Sequence, residues 1–247
     1  MARLLEAQGL YKFFGGLTAI KGVDFHLNEG EILGLIGPNG SGKTTLFNLM
    51  AGVFRPDRGS IRFGGRDITG ASCADVCRMG LGRTFQITRP FPLLSVLDNV
   101  KLGRAYGSAP AKSLNLAETE AIEILDFIGL AAKRSTGAGR LGLIDRKRLE
   151  LGKALATRPK LLLLDEIMAG LNPTEMEAAS NLVMRIRDSG VSIIIIEHMM
   201  RAILKLSDRV IVLNTGEKIA EGPPGEVIQD KQVIEAYLGV DTVDAQG

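Results

Sequence analysis

Gly37-Pro38-Asn39-Gly40-Ser41-Gly42-Lys43-Thr44 decides how this chain is read. The eight residues fit G-x-x-x-x-G-K-[ST]. They lie between a stretch at 31–36, which reads as a buried strand, and a stretch at about 43–51, which reads as a helix. In that setting glycines let backbone N–H groups close around phosphate oxygens without Cβ collisions. The helix N-terminus adds its partial positive charge. Lys43 is placed to reach β- and γ-phosphates, and the Thr44 hydroxyl to hold Mg²⁺. Gly37, Pro38, Asn39, Gly40, Ser41, Gly42, Lys43, Thr44 and Thr45 are therefore candidate nucleotide contacts. The plainer reading is an ordinary glycine turn opening a helix.

The second half of such a site needs an acid at a strand end. Leu161-Leu162-Leu163-Leu164-Asp165-Glu166 supplies it. Four leucines predict a strand too apolar for a wet face, with Asp165 at the C-terminal tip where open α/β sheets bind ligands. Asp165 is expected to hold Mg²⁺ through water, and Glu166, pointing differently, to polarise an attacking water. Two acids simply starting a loop is the competing reading. His198 follows the run 193–196 and Glu197. In the same sheet it should emerge at the ligand edge, within reach of a γ-phosphate. Gln86, after Arg83-Thr84-Phe85, offers an amide; by spacing alone it is a surface residue.

Beyond these stretches, residues at 4–14, 23–27 and 61–63 read as short strands, and 191–197 and 209–214 as buried ones. Residues 173–189 read as a helix with Asn172 as N-cap, Pro173 at the first helical position and Glu175 completing a capping box. Between 88 and 158 the pattern turns helical: Ala117, Ala121, Ile124, Leu125 and Ile128 form one apolar stripe, and 95–102 and 145–157 also read as helices. Alternating strand and helix predicts an α/β fold with a mostly parallel sheet, a β-rich N-terminal part and an inserted helical subdomain at 88–158. The core is then 1–87 with 159–247.

Composition narrows the function. The chain has 247 residues, with 30 Lys+Arg against 28 Asp+Glu, a net charge of +2. That balance gives no electrostatic footprint for nucleic acid. Glycine is enriched, at 30 residues, and clusters rather than repeating. Cys73 and Cys77 are too few for a disulfide scaffold and read as reduced structural thiols. The N-terminus shows no apolar leader core, and no apolar run approaches the roughly 20 residues of a spanning helix.

Together the phosphate loop, the Gln86 stretch, the 161–166 strand with its acids, Ala169-Gly170-Leu171-Asn172-Pro173 and His198 resemble the ATP-binding cassette (ABC) ATPases over nearly the whole chain. The resemblance implies a P-loop core, ATP and Mg²⁺ as ligands, Gln86 beside Thr44 and Asp165 at the metal, and adenine stacking by Phe14. It also implies Lys43, Glu166 and His198 at the reacting phosphate. Gly82-Arg83-Thr84-Phe85-Gln86, Leu97-Asp98-Asn99-Val100 and the ending Val233 to Gly239 look like the cassettes of branched-chain amino acid importers. Lipopolysaccharide-export cassettes share the ending but usually not the Arg-Thr-Phe-Gln stretch. A soluble P-loop switch, a DNA-repair ATPase and a non-hydrolysing assembly protein compete with the transport reading. The guanine-specific Asn-Lys-x-Asp and the long coiled coils of repair cassettes are absent from the sequence.

One element departs from the family. Its signature, Leu-Ser-Gly-Gly-Gln, falls on Leu141-Gly142-Leu143-Ile144-Asp145, where only the leucine survives. Asp145 would bring negative charge toward a γ-phosphate, or simply cap the following helix. The resemblance implies a peripheral subunit on the cytoplasmic face of the membrane. Its expected partners are permease subunits, a second cassette (heterodimer favoured over homodimer) and, indirectly, a solute-binding protein. No nucleic acid is expected.

Overall fold

A computed structural model describes residues 2–84 and 90–238. In chain order the first elements are β1 (Arg3–Phe14), β2 (Leu17–Asn28), β3 (Ile32–Ile36), α1 (Lys43–Met50), β4 (Arg58–Phe63) and β5 (Arg66–Asp67). Then come α2 (Cys73–Met79), β6 (Leu81–Arg83), α3 (Val96–Tyr106), α4 (Leu114–Phe127) and α5 (Leu143–Ala156). The last are β7 (Leu161–Asp165), α6 (Pro173–Asp188), β8 (Ser192–Ile196), α7 (Met200–Leu206), β9 (Arg209–Asn214), β10 (Glu217–Gly222), α8 (Pro224–Val227) and α9 (Lys231–Leu238).

The strands form two sheets. An antiparallel one runs β2-β1-β4-β5, and a second runs β10-β9-β3-β8-β7-β6. In the second, β9, β3, β8, β7 and β6 are parallel, and β10 closes one edge antiparallel to β9. The α/β fold with a mostly parallel sheet and an antiparallel N-terminal part is the architecture expected.

The buried runs explain why this sheet needs cover on both faces. Ile32 and Ile36, Leu162 and Leu164, Ile193 and Ile195, and Val210 and Val212 enter one apolar cluster, with residues of α3 to α7. The alternate residues Leu33 and Leu35, Leu161 and Leu163, Ile194 and Ile196, and Ile211 and Leu213 enter another. That second cluster joins α1 to the antiparallel sheet. Period-two alternation of all-apolar strands thus feeds two cores, one per face. Each fully buried Leu or Ile stabilises by about 1.5–3 kcal/mol relative to exposure.

Helix starts follow their caps. Ser72, Ser95, Ser113 and Asn172 each accept a backbone N–H from the first turn of α2, α3, α4 and α6, and the Asn172–Glu175 capping box is complete. α3, α4 and α5 pack on one another. The structure also lengthens or corrects several expectations. β2 runs well beyond 23–27, because it pairs with β1 along its length through bulges. α5 begins at Leu143 with Gly142 as its cap residue, so Asp145 lies in the first turn and is not the cap. α2, α7 and β10 leave little trace in the sequence pattern because they are short or polar. Cys73 and Cys77 are both free thiols.

Candidate functional site

β3, β8 and β7 are neighbours, and their C-terminal ends deliver the three sequence-selected segments to one edge. The phosphate loop follows β3. Gly37 has φ 148° and Gly42 has φ 103°, conformations that favour glycine. A Cβ on Gly37 would stand 2.1 Å from the Leu213 carbonyl oxygen, and one on Gly42 2.7 Å from that of Ala19. Neither position therefore admits a side chain.

The Lys43 Nζ is folded into the loop, donating to the carbonyls of Gly37 at 2.8 Å and Pro38 at 2.9 Å. Burial pulls its pKa below the ordinary lysine value, while the charges of Glu166 and Asp165 oppose that shift. The Ser41 Oγ is buried and has no hydrogen-bond partner among the described residues. A buried hydroxyl left this way is costly unless a ligand oxygen satisfies it, and a phosphate does so. The first turn of α1 carries no acidic residue, so its dipole faces the loop unopposed. These features fit a polyphosphate.

A cavity of about 660 Å³ opens over the loop, lined among others by Phe14, Lys43, Thr44, Thr45, Glu166 and His198. Phe14 is 42% exposed, so it is not a core phenylalanine. Its ring meets Phe54 edge to face at 5.2 Å.

The two acids diverge as expected. Asp165 is buried at the end of β7 and faces Arg83, whose Nη2 lies 3.2 Å from its Oδ2. Arg83 also donates to Asn48 Oδ1 at 2.5 Å, which ties this cation to α1. Burial raises the Asp165 pKa, and Arg83 opposes the rise. Glu166 turns away, to a φ of 49°, and its Oε1 lies 2.6 Å from Nε2 of His198. Gln86 lies outside the described residues.

No group of three or more His, Cys, Asp or Glu side chains among the described residues is arranged to hold a metal. Mg²⁺ on a nucleotide asks for less: one or two protein oxygens, substrate phosphates and retained waters. Thr44 and Asp165 are a donor set of that kind.

At the signature-aligned stretch, Asp145 is only 8% exposed and forms an ion pair with Lys133. The Lys133 ammonium beside it offsets that charge within the chain. Leu143 is 54% exposed at the start of α5.

Sequence reasoning missed Arg83 as the partner of Asp165, and it missed Glu197 and Lys147. Glu197 is buried at the end of β8 and accepts the Met168 N–H at 2.8 Å. Its signal was an acid closing an all-isoleucine strand. Lys147 donates to the Glu166 carbonyl at 3.2 Å; in the sequence it is hidden inside Arg146-Lys147-Arg148.

A phosphate loop after the central strand, with acids and a histidine at the adjacent strand ends, defines a P-loop nucleotide-hydrolase core. Comparison with known proteins narrows this. The family described as ABC transporter matches residues 20–169, and that described as branched-chain amino acid ATP-binding cassette transporter matches 217–243. The high-affinity branched-chain amino acid transport ATP-binding protein LivG of Salmonella typhimurium is 38% identical, with 96% of this chain and 98% of that protein covered. BraF of Pseudomonas aeruginosa, with the same described role, is 35% identical over the same shares. The crystal structure of the ADP conformation of MJ1267, an ATP-binding cassette of an ABC transporter, superposes with a TM-score of 0.88 at 33% identity, covering 97% of this chain and 100% of that one. The chain belongs to the ABC transporter family, as one of its ATP-binding cassettes, and is an ATPase.

Proposed function

We propose that this cassette drives an uptake transporter for branched-chain amino acids. The observation that carries the ATPase half is the Glu166–His198 pair standing at the cavity that the phosphate loop and Lys43 also line. The solute assignment is supported by the described roles of its relatives and by the match at residues 217–243.

In this reading the loop amides, the Ser41 hydroxyl and Lys43 hold the β- and γ-phosphates, and Phe14 stacks on adenine. Mg²⁺, held by Thr44, Asp165 and Gln86, would supply charge neutralisation at the phosphates. Hydrolysis then rests on positioning and charge stabilisation. Glu166 orients the attacking water, and His198 fixes the Glu166 carboxylate and reaches the γ-phosphate. Residues 88–158 act as a helical subdomain, which near residues 88–105 receives a short helix of the permease.

Two cassettes would sandwich ATP head to tail on the cytoplasmic face of the membrane, fed by a solute-binding protein on the far side. No described helix is long and apolar enough to cross a membrane, in keeping with a peripheral subunit. The test is reconstitution with the permease and binding protein that copurify from membranes. ATP-dependent accumulation of leucine, isoleucine or valine in proteoliposomes is expected. Accumulation of another solute class alone, with none of these three, rejects the solute assignment.

A further inference from the structure

The Glu166 peptide is held in an unusual way. Its φ of 49° lies where side chains of L-residues are disfavoured, so surrounding contacts must maintain it. Its N–H donates to the Ile196 carbonyl at 3.0 Å on β8, and its carbonyl accepts the Ala169 N–H at 3.3 Å. The same carbonyl accepts the Lys147 ammonium at 3.2 Å. That third contact comes from elsewhere in the fold. Lys147 rides on α5, directly after the signature-aligned stretch, and α5 packs with α3 and α4. Glu166 follows β7 in the parallel sheet.

A lysine with no task here would extend its amino group into water. This one is half-buried and drawn inward. Burial lowers its pKa, while the negative charges of Glu197 and Glu166 hold its proton on. Glu197 in turn fixes the next turn of chain by accepting the Met168 N–H. The ammonium is therefore attracted by the Glu166 carboxylate and, when it is ionised, by that of Glu197, and its hydrogen bond ends on the main chain of Glu166.

We propose that Lys147 is a positioning residue for hydrolysis: through the Glu166 carbonyl it couples the placement of α5 to the aim of the Glu166 carboxylate. This rests on the reading that Glu166 orients the attacking water. The consequence is mechanical. A hydrogen bond of 3.2 Å is lost with a displacement of about half an ångström to one ångström. Shifts of α5 against β7 on that scale release the constraint on the Glu166 backbone. The helical part of the chain then governs its own hydrolytic acid, in addition to anything it presents to a second cassette.

The experiment uses the full chain assembled with its permease. Lys147→Met keeps the apolar stem and removes the donor and charge. It is expected to lower kcat about 10²-fold, the scale of a misplaced reacting group, with MgATP affinity by calorimetry and the thermal midpoint unchanged. Lys147→Arg, which can still donate, is expected to restore most of kcat. In a Glu166→Gln background, Lys147→Met is expected to add no further loss, because both act through one carboxylate. Should Lys147→Met be unstable, Lys147→Gln is read by the same measurements. A normal kcat in the stable variant, a loss that falls on ATP affinity in place of kcat, or losses that multiply in the double variant overturn the proposal. The two readings fail separately. Normal hydrolysis by Glu166→Gln rejects the role of Glu166 itself, whereas an inactive Glu166→Gln beside a fully active Lys147→Met rejects Lys147 alone.

Discussion

His198 Nε2 and Glu166 Oε1 lie 2.6 Å apart, across the ends of the neighbouring strands β8 and β7. The contact fixes the direction of a carboxylate whose backbone is already constrained. Glu166→Gln keeps the shape and removes the carboxylate proposed to activate the water. It is expected to retain ATP binding and to lose hydrolysis by roughly 10²-fold or more. His198→Ala should also lower turnover, since it removes a contact that helps aim the carboxylate. Phosphate release in the assembled complex checks both, and normal turnover in Glu166→Gln would place the base elsewhere.

Lys43 makes its two hydrogen bonds to carbonyls of its own loop, so its ammonium already sits in the concavity a polyphosphate would fill. Charge-assisted hydrogen bonds contribute about 1.5–3 kcal/mol. Lys43→Ala is therefore expected to weaken MgATP binding by roughly tenfold to a hundredfold. Calorimetry on the purified chain measures this. Affinity and turnover equal to the parent would remove the loop from the nucleotide site.

What the sequence showed, and what it hid, follows from the range of the interactions. The phosphate loop, the Asn172–Glu175 capping box and the leucine and isoleucine strands are local patterns, and each stands where the sequence places it. The divergence of Asp165 from Glu166 was also legible, because successive strand-end residues point in different directions. The partners of these residues were not. Arg83 reaches Asp165 from 82 residues away, and Lys133 meets Asp145 only once α5 has packed. At Asp145 the sequence shows an acid but not the cation paired with it.

Glu197 gives a pH signature. Burial pushes its pKa from 4.5 up to about 7; the Met168 N–H, then Lys147 and His198, oppose the rise, and Glu166 adds to it. An acid whose folded pKa is raised binds its proton more tightly in the native state. It therefore lowers stability as pH rises from the unfolded value of 4.5 to the folded value of about 7, and costs its full amount above that. Glu197→Gln keeps an acceptor for the Met168 N–H and removes the titration. Its stability relative to the parent is expected to rise by about 2–3 kcal/mol between roughly pH 4.5 and pH 8. Urea denaturation at several pH values checks this. A difference that stays flat across the window would show that Glu197 is not buried as a titrating acid.

The degraded signature leads us to expect an asymmetric pair. With Asp145 paired to Lys133, the expected defect is chiefly the loss of donors and of close approach. Gly142 stands where the family has a serine hydroxyl, and the exposed Leu143 stands where it has a glycine. Losing one preorganised donor at developing charge typically costs about 2.7–4 kcal/mol. A homodimer would carry that defect at both sites. A heterodimer with a signature-intact cassette keeps one good site, built from this chain's Lys43, Asp165, Glu166 and His198 facing the partner's signature. The purified chain alone is expected to hydrolyse ATP slowly, and addition of the partner to raise turnover. Glu166→Gln in this chain should then abolish most of the activity, while the matching change in the partner should spare it. Full turnover by this chain alone refutes the asymmetry. So does full turnover in a heterodimer altered only at Glu166, since the expected good site uses that carboxylate.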